Sequence, residues 1–288
     1  VAEISAKDVK ALRDKSGAGM MDCKRALSDA GGDLDKAVDL LRERGLAKAG
    51  KRAGRATSEG AIGIALQGTR AGMVELGCET DFVAKTEDFQ ALAQELAQVV
   101  AEQQAQEVER VLGAKLGAVS AEERIAATIS KVGENVQLKR AACIAVDAGT
   151  TGGYVHAGGK LGVIVGLRGG SGDQVEALAK DLAMHVAAHD PTPVSVERSG
   201  VPEAVIAKER ELLRREAEQS GKPANVIDRI VEGRLNKFYA ENCLLEQGFV
   251  KDPDRSVGDL VKEASAGAGA ELSVVGFARF KVGEAGEE

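Results

Sequence analysis

Residues 89–101 read FQALAQELAQVVA, and residues 175–187 read VEALAKDLAMHVA. The two align without a gap. Ala91, Leu92, Ala93, Leu96, Ala97, Val100 and Ala101 recur as Ala177, Leu178, Ala179, Leu182, Ala183, Val186 and Ala187, and Glu95 is matched by Asp181. Apolar residues spaced three and four apart share one face of a helix. Each helix pattern follows an apolar strand-like run, Met73 to Leu76 in the first copy and Val163 to Leu167 in the second. A repeat of this kind marks two related hairpin-plus-helix units.

The copies differ in how the strand reaches its helix. In the second, seven residues with turn composition, Arg168 to Gln174, make the connection. In the first it takes twelve, Gly77 to Asp88, and these include Thr80-Asp81-Phe82-Val83. The chain holds six phenylalanines, two tyrosines and no tryptophan, so an aromatic in an expected polar loop stands out. The elaborated connection is where a partner contact is expected. The competing reading folds Phe82 back onto its own core, as many apolar loop residues are.

With 288 residues and 44% apolar content the chain can bury one large core or two smaller ones. No apolar run approaches the ~20 residues of a membrane span. The opening VAEISAKDVK lacks the regions of a signal peptide. Cys23, Cys78, Cys143 and Cys243 form no C-x-x-C pair, which reads as reduced thiols rather than a disulfide frame or zinc site. A soluble, multi-domain, cytoplasmic protein is expected.

Residues 1–55 carry 13 Lys/Arg against 9 Asp/Glu, a net +4, and residues 56–288 carry 25 against 36, a net −11. Phosphate binding needs positive charge along the contact surface, so the acidic body argues against nucleic acid as a partner. The run Arg44, Lys48, Lys51, Arg52 and Arg55 is either a contact for an acidic partner or a solvated connector.

Three short helices are expected at the N-terminus. Ser5 to Asp8 is a capping box, Ser16 to Gly19 a break, and a second helix runs from Met20 to Ala30. Asp33 caps a third, with Leu34, Ala37, Val38 and Leu41 on one face and Gly45 at its end. The helix lengths resemble those of ubiquitin-associated domains. A connector is expected over Ala47 to Gly60. Beyond it come a hairpin around Gly68-Thr69-Arg70, a helix from Ser120 to Val132, a strand from Asn135 to Val146 and a second hairpin ending in Leu161 to Leu167. Helices over 203–219 and 223–239, broken at Gln219-Ser220-Gly221-Lys222-Pro223, form an αα-hairpin zipped through Val205 and Leu212 with Ile227, Ile230, Val231 and Phe238. A capped helix starts near Ser256. A last strand, Glu271 to Val282, sets Val274, Ala278, Phe280 and Val282 against Arg279 and Lys281. The expected class is α+β. Residues 1–55 form a helical docking domain with its basic linker, and 56–147 and 148–288 form two core subdomains of antiparallel sheets with packed helices. The helical hairpin is inserted at about 195–239.

Two segments, LRDKSGAGMMDCKRAL at Leu12 to Leu27 and ELGCETDFVAK at Glu75 to Lys85, resemble translation elongation factor Ts, the nucleotide exchange factor of the GTPase elongation factor Tu. The resemblance continues in order through Tyr154-Val155-His156, Met184 to Ala188, Gln219 to Pro223, Val231 to Arg234 and Val275-Gly276-Phe277. Ser16 stands where the family usually has Thr, and Gly77 where it usually has Asn. An extra C-terminal helix carried by some members is not expected in this chain. The resemblance implies that Asp81 and Phe82, framed by Thr80 and Val83, insert beside the partner's nucleotide site and disturb its magnesium. It further implies docking through Leu12, Met20, Met21 and His156, no cofactor, and self-association through the helical hairpin in some members. On spacing alone, Leu12, Met20 and Met21 also fit a helix core, His156 a turn, and the hairpin an internal prop.

Catalytic patterns are weak. His185 and His189 are spaced i, i+4, but no Glu follows His185 and no third ligand has recognisable spacing, so His185 reads as a partly buried structural residue. Gly158-Gly159-Lys160 lacks the earlier glycine of a P-loop and reads as a hairpin turn. No Gly-x-Ser-x-Gly elbow is present. A chain without covalent chemistry is expected, the alternative to an exchange factor being a helical adaptor that only binds.

Overall fold

Ser5 opens the chain's first helix. In the computed structural model, which describes residues 4–219 and 223–284, its hydroxyl accepts the Asp8 N–H while Asp8 bonds back to Ser5, capping α1 (Ala6–Ser16). Gly17, in the left-handed region at φ 66°, ends it. α2 (Met20–Asp29) and α3 (Leu34–Arg52) complete the bundle around Val9, Leu12, Cys23, Ala26, Leu27 and Ala37. α3 is longer than expected. Gly45 does not end it but is buried within it, where a Cβ would lie 3.5 Å from Ser130 Oγ and 3.7 Å from the Ala126 carbonyl oxygen. Glycine costs about 1 kcal/mol in a helix interior, and here it packs against the helix over residues 121–132 at distances that would leave a Cβ in ordinary contact. The expected connector is therefore helix as far as Arg52.

β1 (Glu59–Gln67) and β2 (Arg70–Cys78) follow, joined at Gly68-Thr69 with Gly68 at φ 65°. Then come α4 (Asp81–Ala84), α5 (Glu87–Gln103), α6 (Val108–Gly113), the small hairpin β3 (Lys115–Leu116) and β4 (Val119–Ser120), α7 (Ala121–Val132) and β5 (Val136–Ala145). The second unit is β6 (Gly149–Val155), β7 (Leu161–Arg168) and α8 (Asp173–Ala188). After it come the helical hairpin α9 (Glu203–Glu218) and α10 (Ala224–Asn242), the ribbon β8 (Gly248–Phe249) and β9 (Asp252–Ser256), α11 (Val257–Ala268) and β10 (Ser273–Lys281).

Two antiparallel three-stranded sheets, β1-β2-β5 and β10-β7-β6, pack face to face. Ile62, Met73, Ile164 and Phe280 fill the space between them. α5 covers the outer face of the first sheet and α8 that of the second. Strands buried on both faces lose the apolar–polar alternation. Thus Val74, Leu76 and Cys78 of β2 face α5 while Ala71 and Met73 face the other sheet. The two repeated units use the same packing device. A Cβ on Gly63 would collide with the carbonyl oxygen of Ala93, and one on Gly152 with the backbone of Ala179. Ala93 and Ala179 are the aligned positions of the repeat, so each helix is seated on a glycine of its own hairpin.

Three further sequence expectations change. A bulge between Val274 and Gly276 reverses the faces of β10, so Val274 and Phe277 pack beneath α8 while Ala278, Phe280 and Val282 face the first sheet. The helical hairpin is zipped by Leu213 and Ala217 against Ile227, Ile230, Val231 and Leu235. Val205 and Leu212 are exposed, because neighbouring helix positions lie about 100° apart. His185 is fully rather than partly buried. Its Nδ1 accepts the Val250 N–H at 3.2 Å, so Nε2 carries the proton and donates to Gln247 Oε1 at 2.9 Å. Residues 220–222 of the expected break at Gln219 to Pro223, and the terminal residues 285–288, lie outside the described residues.

Among the described residues no helix is long and apolar enough to cross a membrane. Nor does any group of three His, Cys, Asp or Glu lie placed to hold a metal ion.

Candidate functional site

The elaborated connection between β2 and α5 contains a single helical turn, α4, rather than an irregular loop. Thr80 is its N-cap, with extended backbone and a hydroxyl that accepts the Val83 N–H at 3.4 Å. The Ala84 and Lys85 N–H groups bond to the carbonyls of Thr80 and Asp81. Thr86 then caps α5 and donates its hydroxyl to the Val83 carbonyl at 2.8 Å. Val83 and Ala84 are buried in the core beneath α5. With those two turned inward, helical rotation turns Phe82 outward. Its side chain is 81% exposed, the most exposed of the large apolar residues described. The alternative in which Phe82 folds back on its own core is excluded.

Asp81 lies beside it. Lys85 donates to its Oδ2 at 2.6 Å. That hydrogen bond holds the carboxyl below its ordinary value, against desolvation, and the charges of Lys85 and Lys160 help. Lys160 sits in the β6–β7 turn, where it is paired with Glu59. The turn leans on β1 through the Ile62 N–H, which donates to the Gly159 carbonyl at 2.8 Å. His156 begins this turn, exposed, with Nδ1 2.9 Å from the Tyr154 hydroxyl. Glu59 lies opposite Cys78 in the β1–β2 ladder, so the His156-bearing turn and the segment leading to Phe82 meet at one end of the sandwich. Gly158 and Gly159 adopt φ 94° and 73°, the turn geometry expected of them.

The approach to Phe82 is tied down on both sides. Beyond the last ladder pair, Cys78 with Val136, the two strands continue through side chains. Thr80 donates its N–H to Glu134 Oε2 at 3.0 Å and its hydroxyl to Glu134 Oε1 at 2.6 Å. In the other direction the Asn135 N–H donates to Glu79 Oε1 at 2.7 Å, a bond that lowers the Glu79 carboxyl. The Cys78 thiol donates to the Thr80 carbonyl at 3.1 Å. Burial, with the nearby charge of Glu134, pushes that thiol up to about 11, so it stays neutral. Glu79, Glu134 and Asn135 are not distinguished by sequence reasoning. A glutamate just after the helix-ending Gly133 is the only local signal.

A protein-family model described as "Elongation factor TS" matches residues 79–284. A protein named elongation factor Ts from Bradyrhizobium sp. (strain ORS 278) is 44% identical over 99% of this chain and 94% of its own length. Namesakes from Chlorobium phaeobacteroides (strain BS1) and Thioalkalivibrio sulfidiphilus (strain HL-EbGR7) are 43% and 45% identical, each over 98% of this chain. The chain belongs to the elongation factor Ts family. The matched region takes in the Phe82 turn, its Glu134 anchor, β5 and the whole second sheet, and the relatives span β1, β2 and the N-terminal helices as well.

The four docking residues implied by the family resemblance fare differently. Met20 and Met21 are 57% and 65% exposed at the start of α2, and His156 is exposed. Leu12 is a correction: it is wholly buried among Val9, Cys23 and Leu27 and has no surface to offer a partner. The basic run along and just beyond α3 is largely spent within the chain, since Arg44 pairs with Asp29, Lys48 with Asp22 at 3.0 Å and Arg55 with Glu79 at 3.4 Å.

Proposed function

We propose that this chain binds GDP-bound elongation factor Tu and speeds release of its nucleotide, with Phe82 and Asp81 as the displacing group. The observation that carries the reading is the exposure of Phe82 on a turn whose remaining residues are anchored. A pocket that takes up such a ring gains about 1.5–3 kcal/mol, and interface aromatics are frequent hot spots. Magnesium bound to nucleotide phosphates demands near-ideal octahedral geometry, so a small displacement of its surroundings weakens the whole nucleotide site. Factor and nucleotide then lower each other's affinity reciprocally, and no covalent step is needed. Thr80 and Val83 shape the turn, while Met20, Met21 and His156 add docking contacts. The reading puts the protein where elongation takes place, in the cytoplasm.

Release of fluorescent GDP from elongation factor Tu tests this. Fast release with the wild-type chain and slow release with Phe82→Ala and Asp81→Ala is expected. Binding without acceleration by the wild-type chain would leave a bare adaptor instead. The exposed Val205 and Leu212 of α9 support a further reading in which a second copy packs on the helical hairpin. Sedimentation that stays monomeric over the accessible concentration range would remove it.

A further inference from the structure

We propose that Glu134 is a positioning residue for the exchange reaction, acting through Thr80 to hold Phe82 in its outward presentation. The proposal rests on the reading of Phe82 given above. Glu134 touches neither Phe82 nor Asp81 through any hydrogen bond. It reaches Thr80 with both carboxylate oxygens, one on the backbone N–H and one on the hydroxyl. A hydroxyl has one proton to give. Giving it to Glu134 turns the oxygen's lone pairs toward the Val83 N–H, the capping bond of α4. The carboxylate thus sets the orientation of the cap as well as the place of the backbone.

α4 is a single turn, and one turn is not stable unaided, because helix nucleation fixes several dihedrals for one hydrogen bond. Its presentation depends on what holds its two ends. Thr86 and the buried Val83 and Ala84 hold the C-terminal side. On the N-terminal side the ladder stops at Cys78, two residues before the cap, and the Glu134 bonds are what join Thr80 to the neighbouring strand. Without them only the Cys78 thiol on its carbonyl and the Glu79–Asn135 bond one residue earlier restrain Thr80, its hydroxyl is no longer turned toward the Val83 N–H, and Phe82 samples directions that do not meet the partner. Binding energy from the docking residues is then retained, but less of it is used to displace the nucleotide.

The test follows release of fluorescent GDP from elongation factor Tu at increasing concentrations of this chain, giving a maximal rate and a half-saturating concentration. Loss of charged hydrogen bonds is expected to lower the maximal rate of Glu134→Ala about tenfold, with half-saturation changed less than about twofold. Glu134→Gln, which keeps one acceptor oxygen, is expected between the wild type and Glu134→Ala, and it carries the test if the alanine variant folds poorly. Adding Glu134→Ala to Phe82→Ala is expected to cost nothing further, because the two act through one group. Wild-type maximal rates for both Glu134 variants beside a slow Phe82→Ala would overturn the proposal alone. So would a full second loss in the Phe82→Ala background. If Phe82→Ala itself releases nucleotide at the wild-type rate, the underlying reading fails and the proposal falls with it.

Discussion

The carbonyl oxygen of Ala93 occupies the space that a side chain on Gly63 would need. The same relationship holds between Gly152 and the backbone of Ala179 in the second unit. The obstacle is main chain in both, so it cannot rotate away. Gly63→Ala and Gly152→Ala are each expected to destabilise the protein by about 1–3 kcal/mol through overpacking, read as a lower urea midpoint. Gly113→Ala, at a site with nothing within 4 Å of the new Cβ, serves as the control with a change inside about 0.5 kcal/mol. Equal midpoints for all three would refute the close seating of the helices.

Glu75 and Arg140 form the most buried ion pair described, with Nε to Oε2 at 2.6 Å and the two side chains 6% and 21% exposed. Arg140 also lies 4.4 Å over the Phe280 ring and donates to the Lys281 carbonyl at 3.0 Å, so the pair joins the first sheet to the end of β10. Glu75→Ala strands the guanidinium and is expected to cost about 3 kcal/mol. Glu75→Leu/Arg140→Leu is expected to recover part of that loss. Chemical denaturation of the two variants checks the order.

Phe82→Ala is expected to leave stability within about 0.5 kcal/mol of the wild type, since the ring is almost wholly in water. Leu12→Ala is expected to cost about 2–5 kcal/mol for the opposite reason. Thermal unfolding separates the two before any partner is added.

Met20→Ala/Met21→Ala is expected to weaken binding to elongation factor Tu without moving the unfolding midpoint, because both side chains are exposed in the free chain. Titration calorimetry beside a melting curve checks this. A parallel fall in stability would make these methionines part of the bundle.

His185 is buried, which pushes its imidazole below its ordinary value; the Gln247 hydrogen bond opposes this and His189 adds to it. The folded value is therefore below the unfolded one of about 6.5. The stability tied to this group is fully present above about pH 6.5 and is lost as the pH falls through the lowered value, because the unfolded chain takes up the proton first. His185→Gln is expected to flatten the fall in unfolding free energy below about pH 6.5. Urea titrations at a series of pH values measure it. An unchanged slope would mean that other groups carry the dependence.

Periodicity and punctuation were enough for the local elements. The repeat at Ala91 to Ala101 and Ala177 to Ala187, the caps Ser5, Asp33 and Ser256, and the turn at Gly68 all lie where their spacing and residue types put them. These signals act over a few residues and need no knowledge of what packs where. Gly45 misled because a glycine that ends a helix and one buried in a helix interior look alike along the chain. Val274 was assigned to the wrong face because a bulge shifts the alternation without changing composition. Leu12 and Met20 share the same apolar character, yet one fills the bundle and the other faces water, since only the angle between helices separates them.

The amino-acid sequence therefore carries the family, the duplication and the segment that presents Phe82, because these are local patterns. What folding in three dimensions adds is direction. Phe82 points outward because Val83 and Ala84 are taken by the core beneath α5, and its turn is held by Glu134, fifty-four residues away along the chain. Contacts at that separation depend on two strands having paired in one register, Cys78 beside Val136, and neither partner's composition records the pairing.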